Sequence, residues 1–387
     1  MNENKFDKIQ DQCVRFAQRL IQTPSMSGEE ARIAGVVANE MTELNFDEVW
    51  QDDAGNIYGR IFGRDRSLGA LVLNTHLDHV DPGELDRWSV DPYSAVIQGD
   101  RIIGRGACDI KGPMAVQIYA MAALKRFSIV PRRDIVFTGV VQEEVGGAGA
   151  KYWIDHLNYP VELVILGEPS ENNLSLGHRG ILQITIKFPG KSRHASAPDD
   201  GSNPNYALAT FLTRISERQA ELSSHSLLGV TTVAPTILEV DTRSLNVTPA
   251  WTRVVLDFRS GSESGSSLRR FIHQVAGDLD FSIEPTLDIE GESEILESDE
   301  SLTGYFTLPE HPVVQTVKDL VTGGMGWEPA LSSYRFATDG RHFTKHDMAI
   351  IGYAPGEESL AHTADESISI PMMADSLRGH VNLLRNF

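Results

Sequence analysis

Four short, dense apolar runs constrain what this chain can fold into: ALVLNTHLDHV at 70–80, DIVFTGVV at 134–141, VELVIL at 161–166 and MAIIGYAP at 348–355. Strands of this length without polar alternation are those buried on both faces, which is typical of a parallel sheet. Helical periodicity lies between them, in GPMAVQIYAMAALKRF (112–127), opened by Gly-Pro and closed by basic residues, and in GAGAKYWIDHL (147–157). Two more helices are predicted at 5–22 and 29–45, with a break at Thr23-Pro24, and Ser27 with Glu30 reads as a capping box for the second. A helix at 312–322 and a C-terminal helix from Met372 complete the set. Strand–helix–strand alternation predicts an α/β fold, a mainly parallel sheet with helices on both faces.

The pattern changes after about residue 180. ILQITIKFPG (181–190) alternates apolar and polar residues, as a half-exposed antiparallel strand does. Helices at 203–222 and 265–279 and strands at 236–241, 251–260 and 280–285 follow, then an acidic stretch, EGESEILESDES. A chain of 387 residues exceeds one ordinary core. The expectation is a catalytic domain, 1–180 with 296–387, interrupted by an inserted α+β domain at 181–295 in which two helices lie on an antiparallel sheet.

Ionisable residues gather where the buried runs end. His76 and Asp78 close the first run, Asp109 lies in GRGACDIKG before the helix at 112, and Glu143-Glu144 follow the second run. Glu168 follows the third, and His362 falls just past the fourth. Singly, each is an ordinary surface residue. Jointly, they reach the edge of an open α/β sheet where ligands bind, and unrelated surface charges have no reason to recur there. Imidazole and carboxylate without thiolate suits zinc, manganese or cobalt.

Charge and composition narrow the partners. A net charge of −20 argues against nucleic acid, which requires a basic face. Most of that charge reads as an acidic solvated surface, and part as carboxylates gathered to hold cations. No apolar run approaches the ~20 residues that span a bilayer. Cys13 and Cys108 are the only cysteines, and the N-terminus is polar without an apolar signal core, so a reducing, cytoplasmic setting is expected.

HLDHV (76–80), GRGACDIKG (104–112), QEEVGG (142–147), GEPS (167–170) and AHTADE (361–366), in this order, resemble the metal-site motifs of a dizinc peptidase/deacylase family. That family includes acetylornithine deacetylase, succinyl-diaminopimelate desuccinylase and the glutamate carboxypeptidases. GHRG (177–180), GKSRHASAP (190–198) and NVTPAW (246–251) resemble its lid-domain motifs, so the likeness covers nearly the whole chain. The resemblance implies two divalent metals, zinc with cobalt or manganese as alternatives. It implies that Asp109 bridges them, that His76 and Glu168 hold one and Glu144 and His362 the other, and that Asp78 steadies the His76 ring. Glu143 becomes the general base for water activated between the metals. His194 matches a lid histidine that reaches the partner subunit's site. Arg179, Asn246 and Arg259 match positions binding a substrate carboxylate or polar end, Arg259 reading equally well as a structural ion pair. Asp339, Gly340 and Arg341 belong to a loop resembling one that lines the substrate pocket.

The implied function is hydrolysis of an amide in a small N-acyl amino acid with a free carboxylate. An exopeptidase using the same site is the alternative, and a non-catalytic metal-binding dimer the remote one, disfavoured because Glu143 is present. A lid of roughly 115 residues is too short to fold its own histidine back onto its own metals, so a homodimer through the lid is expected. Cys108 and His79 depart from the family pattern, which usually has a small residue at the first and Thr or Val at the second; neither is a ligand position.

Overall fold

A computed structural model describes residues 3–197, 202–261, 263–284, 304–344 and 346–387. Contacts divide the chain into two compact units: residues up to 177 with 306–334 and 338–387, and residues 178–305 with 335–337. The domain boundary expected at 295/296 and the acidic stretch at 290–301 lie outside the described residues.

The helices are α1 (Glu3–Ile21), α2 (Ala31–Glu43), α3 (Gly112–Arg126), α4 (Ala148–Asp155), α5 (Pro204–Arg218), α6 (Gly265–Ala276), α7 (Pro312–Met325), α8 (Gly340–Phe343) and α9 (Ile370–Asn386). The strands that matter here are β1 (Glu48–Gln51), β2 (Ile57–Ile61), β3 (Ala70–His76), β4 (Ile135–Val140), β5 (Val161–Leu166), β6 (Leu174–His178), β7 (Gly180–Pro189), β8 (Thr232–Val240), β9 (Trp251–Ser260), β10 (Ser282–Glu284), β11 (Tyr305–Phe306), β12 (Leu331–Tyr334) and β13 (Ala349–Gly352).

In the first unit the sheet order is β1-β2-β4-β3-β5-β13-β6-β11, with β12 paired to β6. The four apolar runs form its centre, and β4, β3, β5 and β13 pair in parallel. Every residue of β3 is buried, as its unbroken apolar run requires. Toward the edges the pairing turns antiparallel, β1 with β2, β2 with β4 and β13 with β6, so the sheet is mixed, and the parallel expectation holds for its centre. The short strands β1, at the edge, and β2, beside it, carry no long apolar run, which is why periodicity alone passed over them. Helices cover both faces; α1, α3, α9 and α7 pack in succession and α2 packs on β2.

The capping box expected at the start of α2 does not form. Glu30 itself is the N-cap and makes no side-chain cap bond. Its carboxylate accepts from the N–H groups of Gly28 and Gln142, and the Ser27 hydroxyl donates to Asp78 at 2.7 Å. Ser27 thus serves a long-range partner, and Glu30 is shared between a local N–H and a distant one.

The second unit carries a four-stranded antiparallel sheet, β8-β9-β7-β10. Alternate residues of β7, Leu182, Ile184, Ile186 and Phe188, point into one core with Leu208, Phe211 and Ile215 of α5 and Leu268, Ile272 and Val275 of α6. Period-2 and period-3.6 patterns thus meet on one face of the sheet. Among the described residues, no helix is long and apolar enough to cross a membrane.

Candidate metal centre

The central strands deliver their last residues to one place. His76 ends β3, and its Nδ1 lies 3.0 Å from the main-chain oxygen of Asp78. With a proton on Nδ1 donated to that carbonyl, Nε2 is left as a lone pair. Nε2 lies 3.0 Å from Asp109 Oδ1 and 3.9 Å from Glu168 Oε1. On the other side of Asp109, Oδ2 lies 3.1 Å from His362 Nε2, which is also 3.0 Å from Glu144 Oε1. Asp109 therefore turns one oxygen to each histidine. Ligand atoms of His76, Asp109 and Glu144 all fall within 4.8 Å of one another. His362 holds a left-handed backbone, φ 62°, where a residue with a Cβ is uncommon, and such conformations concentrate at functional sites.

The loop bearing Asp109 is fixed by a carboxylate. Glu366 is fully buried and accepts from the N–H groups of Gly106 at 2.9 Å and of Cys108 and Asp109 at 3.2 Å, and from Arg105 Nη1 at 2.5 Å. Lys111, also buried, donates to the Thr23 carbonyl at 2.8 Å. Asp78 does the same for the glutamate pair: its oxygens accept from the N–H groups of Glu143 at 3.1 Å and Glu144 at 3.2 Å, while its Oδ1 lies 3.5 Å from His76 Nδ1. Gly147, at φ 75°, lets the 339–342 segment close on the loop after β4. A Cβ there would lie 2.4 Å from Asp339 Oδ1 and 2.5 Å from His342 Nε2.

The electrostatics describe a site short of positive charge. Burial, with Asp339 and Glu168 nearby, pushes the Glu143 carboxyl well above the usual range; burial with Asp109 nearby raises Glu144. Burial raises Glu168 well above that range too, and Asp339 to about 7. Against the cost of burial, hydrogen bonds from His362 and His76 hold Asp109 below the ordinary carboxylate value. Hydrogen bonds to Asp109 and Glu144 raise His362 to about 10, and His76 is raised despite its burial because Asp109, Asp78 and Glu168 surround it. Both carboxylate oxygens of Asp339 are buried without a hydrogen-bond partner among the described residues. Unneutralised buried carboxylates are costly unless cations are supplied. A centre of two imidazoles and several carboxylates thus fits divalent ions.

The Glu143 side chain makes no hydrogen bond or ion pair among the described residues, unlike Glu144. Of the loop residues expected near substrate, Gly340 N donates to Thr338 Oγ1 at 3.2 Å and Arg341 Nε lies 3.3 Å from His342 Nε2. In the second unit His194 and Asn246 come together, with Nδ2 of Asn246 3.4 Å from His194 Nε2, and His194 Nδ1 lies 2.7 Å from Ser196 Oγ. Arg179 Nη1 donates to the Val230 carbonyl at 3.2 Å. Arg259 is paired with Asp257 at 2.7 Å.

Glu366, Arg105 and His342 were not singled out from sequence, and Ser27 was read only as a helix cap. Glu366 and Arg105 lie inside AHTADE and GRGACDIKG, so the signal was there, but their roles arise from a pairing 261 residues apart. Replacing Glu366 with Gln should weaken metal affinity about 10- to 100-fold, the scale for outer partners of metal ligands. It should also lower the melting temperature, since Arg105 is left buried without its counter-ion. Metal titration and thermal unfolding of the variant check both; unchanged affinity would make Glu366 a purely structural anchor.

With this geometry in view, the comparisons with known proteins are specific. The model of Peptidase family M20/M25/M40 matches residues 72–386. The chain is 26% identical over 387 residues to the protein YgeY of Escherichia coli K12, covering 94% of this chain and 91% of that protein. It is 25% identical over 372 residues to succinyl-diaminopimelate desuccinylase of Roseobacter denitrificans, covering 92% and 93%. Among solved structures, aminopeptidase PepT of Bacillus cereus superposes with a TM-score of 0.77 at 20% identity, covering 97% of this chain and 98% of that one, a likeness of fold.

Proposed function

Because the chain belongs to peptidase family M20/M25/M40, and so is a metal-dependent amide hydrolase or exopeptidase, we propose that it hydrolyses the amide bond of a small N-acyl amino acid with Glu143 as general base. The observation that carries this reading is the division of Asp109 between two histidines, with Glu143 beside them and unpaired. His76 and Glu168 would hold one ion, Glu144 and His362 the other, and Asp109 both; the donor set suits zinc, with cobalt or manganese as alternatives. Such ions, when bound, acidify water and polarise a carbonyl.

The protein's own contribution is positioning and proton transfer. Asp78 fixes the main chain of Glu143 and Glu144, so the two neighbours point to different tasks. Glu144 is engaged by His362, and Glu143 is free to take a proton on its carboxylate and return it to the departing amine. Burial beside Asp339 raises its affinity for that proton. His194 would donate to the developing oxyanion in the partner subunit's site. Arg179, Arg259, Arg341 and Asn246, with Asp339 and Gly340 of the pocket loop, would bind the substrate's free carboxylate and polar end.

A homodimer through the inserted domain follows. β8 is the edge strand of its sheet and exposes Ile237, Leu238 and Val240, an apolar edge that invites pairing. Sedimentation should give a dimer, and a fully active monomer would remove this role for His194. The setting is cytoplasmic, consistent with two buried free cysteines.

An exopeptidase is the second reading, favoured by the fold shared with an aminopeptidase. A screen of the zinc- and cobalt-loaded enzyme against N-acetyl, N-succinyl, N-formyl and N-carbamoyl amino acids and against dipeptides separates the two. Turnover of one acyl class, absent in Glu143→Ala, establishes the deacylase. Cleavage of dipeptides alone makes it an exopeptidase, and silence on every substrate with metal bound leaves a binding protein.

A further inference from the structure

A cleft of about 600 Å³ opens between α1, α2 and α3. Its size is that of a small-molecule site, ~300–1,000 Å³. We propose that it binds a small organic oxyanion, a carboxylate or phosphate of metabolite size, gripped by Arg15 and Arg126.

The argument starts from α1. Its inward stripe, Ile9, Cys13, Phe16 and Leu20, is buried, and α1 packs on α3, which leaves Arg15 and Arg19 on the cleft side one turn apart. Like charges at that spacing repel, by ~0.2–0.5 kcal/mol on an exposed helix. Arg19 has an answer in Glu40, a buried carboxylate that also accepts from the Tyr119 hydroxyl at 2.5 Å. Arg15 has none: it makes no ion pair or hydrogen bond among the described residues. Arg126, in the last turn of α3, has only neutral partners, the Gln12 amide oxygen and the face of Tyr119 at 5.8 Å.

Two guanidinium groups therefore share a concavity with no ion pair among the described residues, and Glu43 is the one carboxylate of the lining besides Glu40. Three arginines face two glutamates, Glu40 and Glu43, in the lining, so the cleft keeps a positive balance. Guanidinium forks match the planar oxygens of carboxylate and phosphate. The cleft is separate from the metal centre. α3 begins three residues after Asp109 and ends at Arg126, and its 15 residues span about 22 Å.

Isothermal titration of the metal-loaded enzyme at low ionic strength tests this, with inorganic phosphate and tricarballylate as probes. One equivalent per chain is expected for at least one probe, weakening as salt is added. Arg15→Ala, Arg15→Glu and Arg126→Ala should each cost about tenfold or more in affinity. Arg15→Ala should leave melting temperature and turnover unchanged, because Arg15 holds nothing else in place. A response to phosphate alone assigns the cleft to a phosphate ester, and a response to tricarballylate alone to a polycarboxylate. No binding of either probe, or binding undiminished in the Arg15→Ala/Arg126→Ala double variant, overturns the proposal.

Discussion

Glu143→Ala should lower kcat by about 10²–10⁴-fold, the range for loss of a general base, while the protein keeps its full complement of metal. The structure makes the split between the two glutamates sharp. Glu144 Oε1 lies 3.0 Å from His362, so its loss should be felt as metal affinity. Glu143 touches neither histidine, so its loss should be felt as turnover. Kinetics and metal analysis on both variants decide the matter together. If Glu143→Ala emerged metal-free and Glu144→Ala metal-replete but inactive, the roles would be reversed. Glu143→Gln is the stricter variant, since it keeps the volume and removes only the basicity.

Asp109→Ala should lose both ions. Its two oxygens face His76 and His362 separately, at 3.0 and 3.1 Å, so its loss should be felt in both halves of the centre. Removal of an outer partner already costs ~10–100-fold in metal affinity, and removal of a shared ligand should exceed that for each ion. Zinc titration of the stripped protein should show two weakened sites, and activity should fall to background. Retention of one site at undiminished affinity would mean that Asp109 serves a single ion. Asp109→Asn keeps one carbonyl oxygen and should fall between the two, which guards against misreading an unfolded variant as a metal-free one.

The centre of the fold was readable from sequence because its signal is local. Burial on both faces demands an unbroken apolar run, and β3, β4, β5 and β13 each carry one. The ligand types stood at the ends of those runs, so the candidate centre could be assembled by counting strand ends. This edge of the sheet was less legible: β1 and β2 are short, β1 is partly exposed, and both are specified by the strands they pair with. The capping box failed for a related reason. Ser27 and Glu30 have the right spacing for a helix cap, but Asp78 and the Gln142 N–H lie within reach and take them instead. Local propensity yields to a partner that is distant in sequence when that partner is buried and needs the bond.

Residue types and their order along the chain thus pointed to the class of sheet, to an inserted unit and to a candidate set of cation ligands. The tertiary structure alone decided how those groups are shared. It turned the two oxygens of Asp109 toward different histidines, left Glu143 unpaired beside Glu144, and set Glu366 under the Asp109 loop from the far end of the chain. It also put Arg15 and Arg126, from different helices, in the lining of one cleft. The physical reason is range: apolar burial is written into each segment, whereas the orientation of a carboxylate depends on donors that only folding brings within 3 Å.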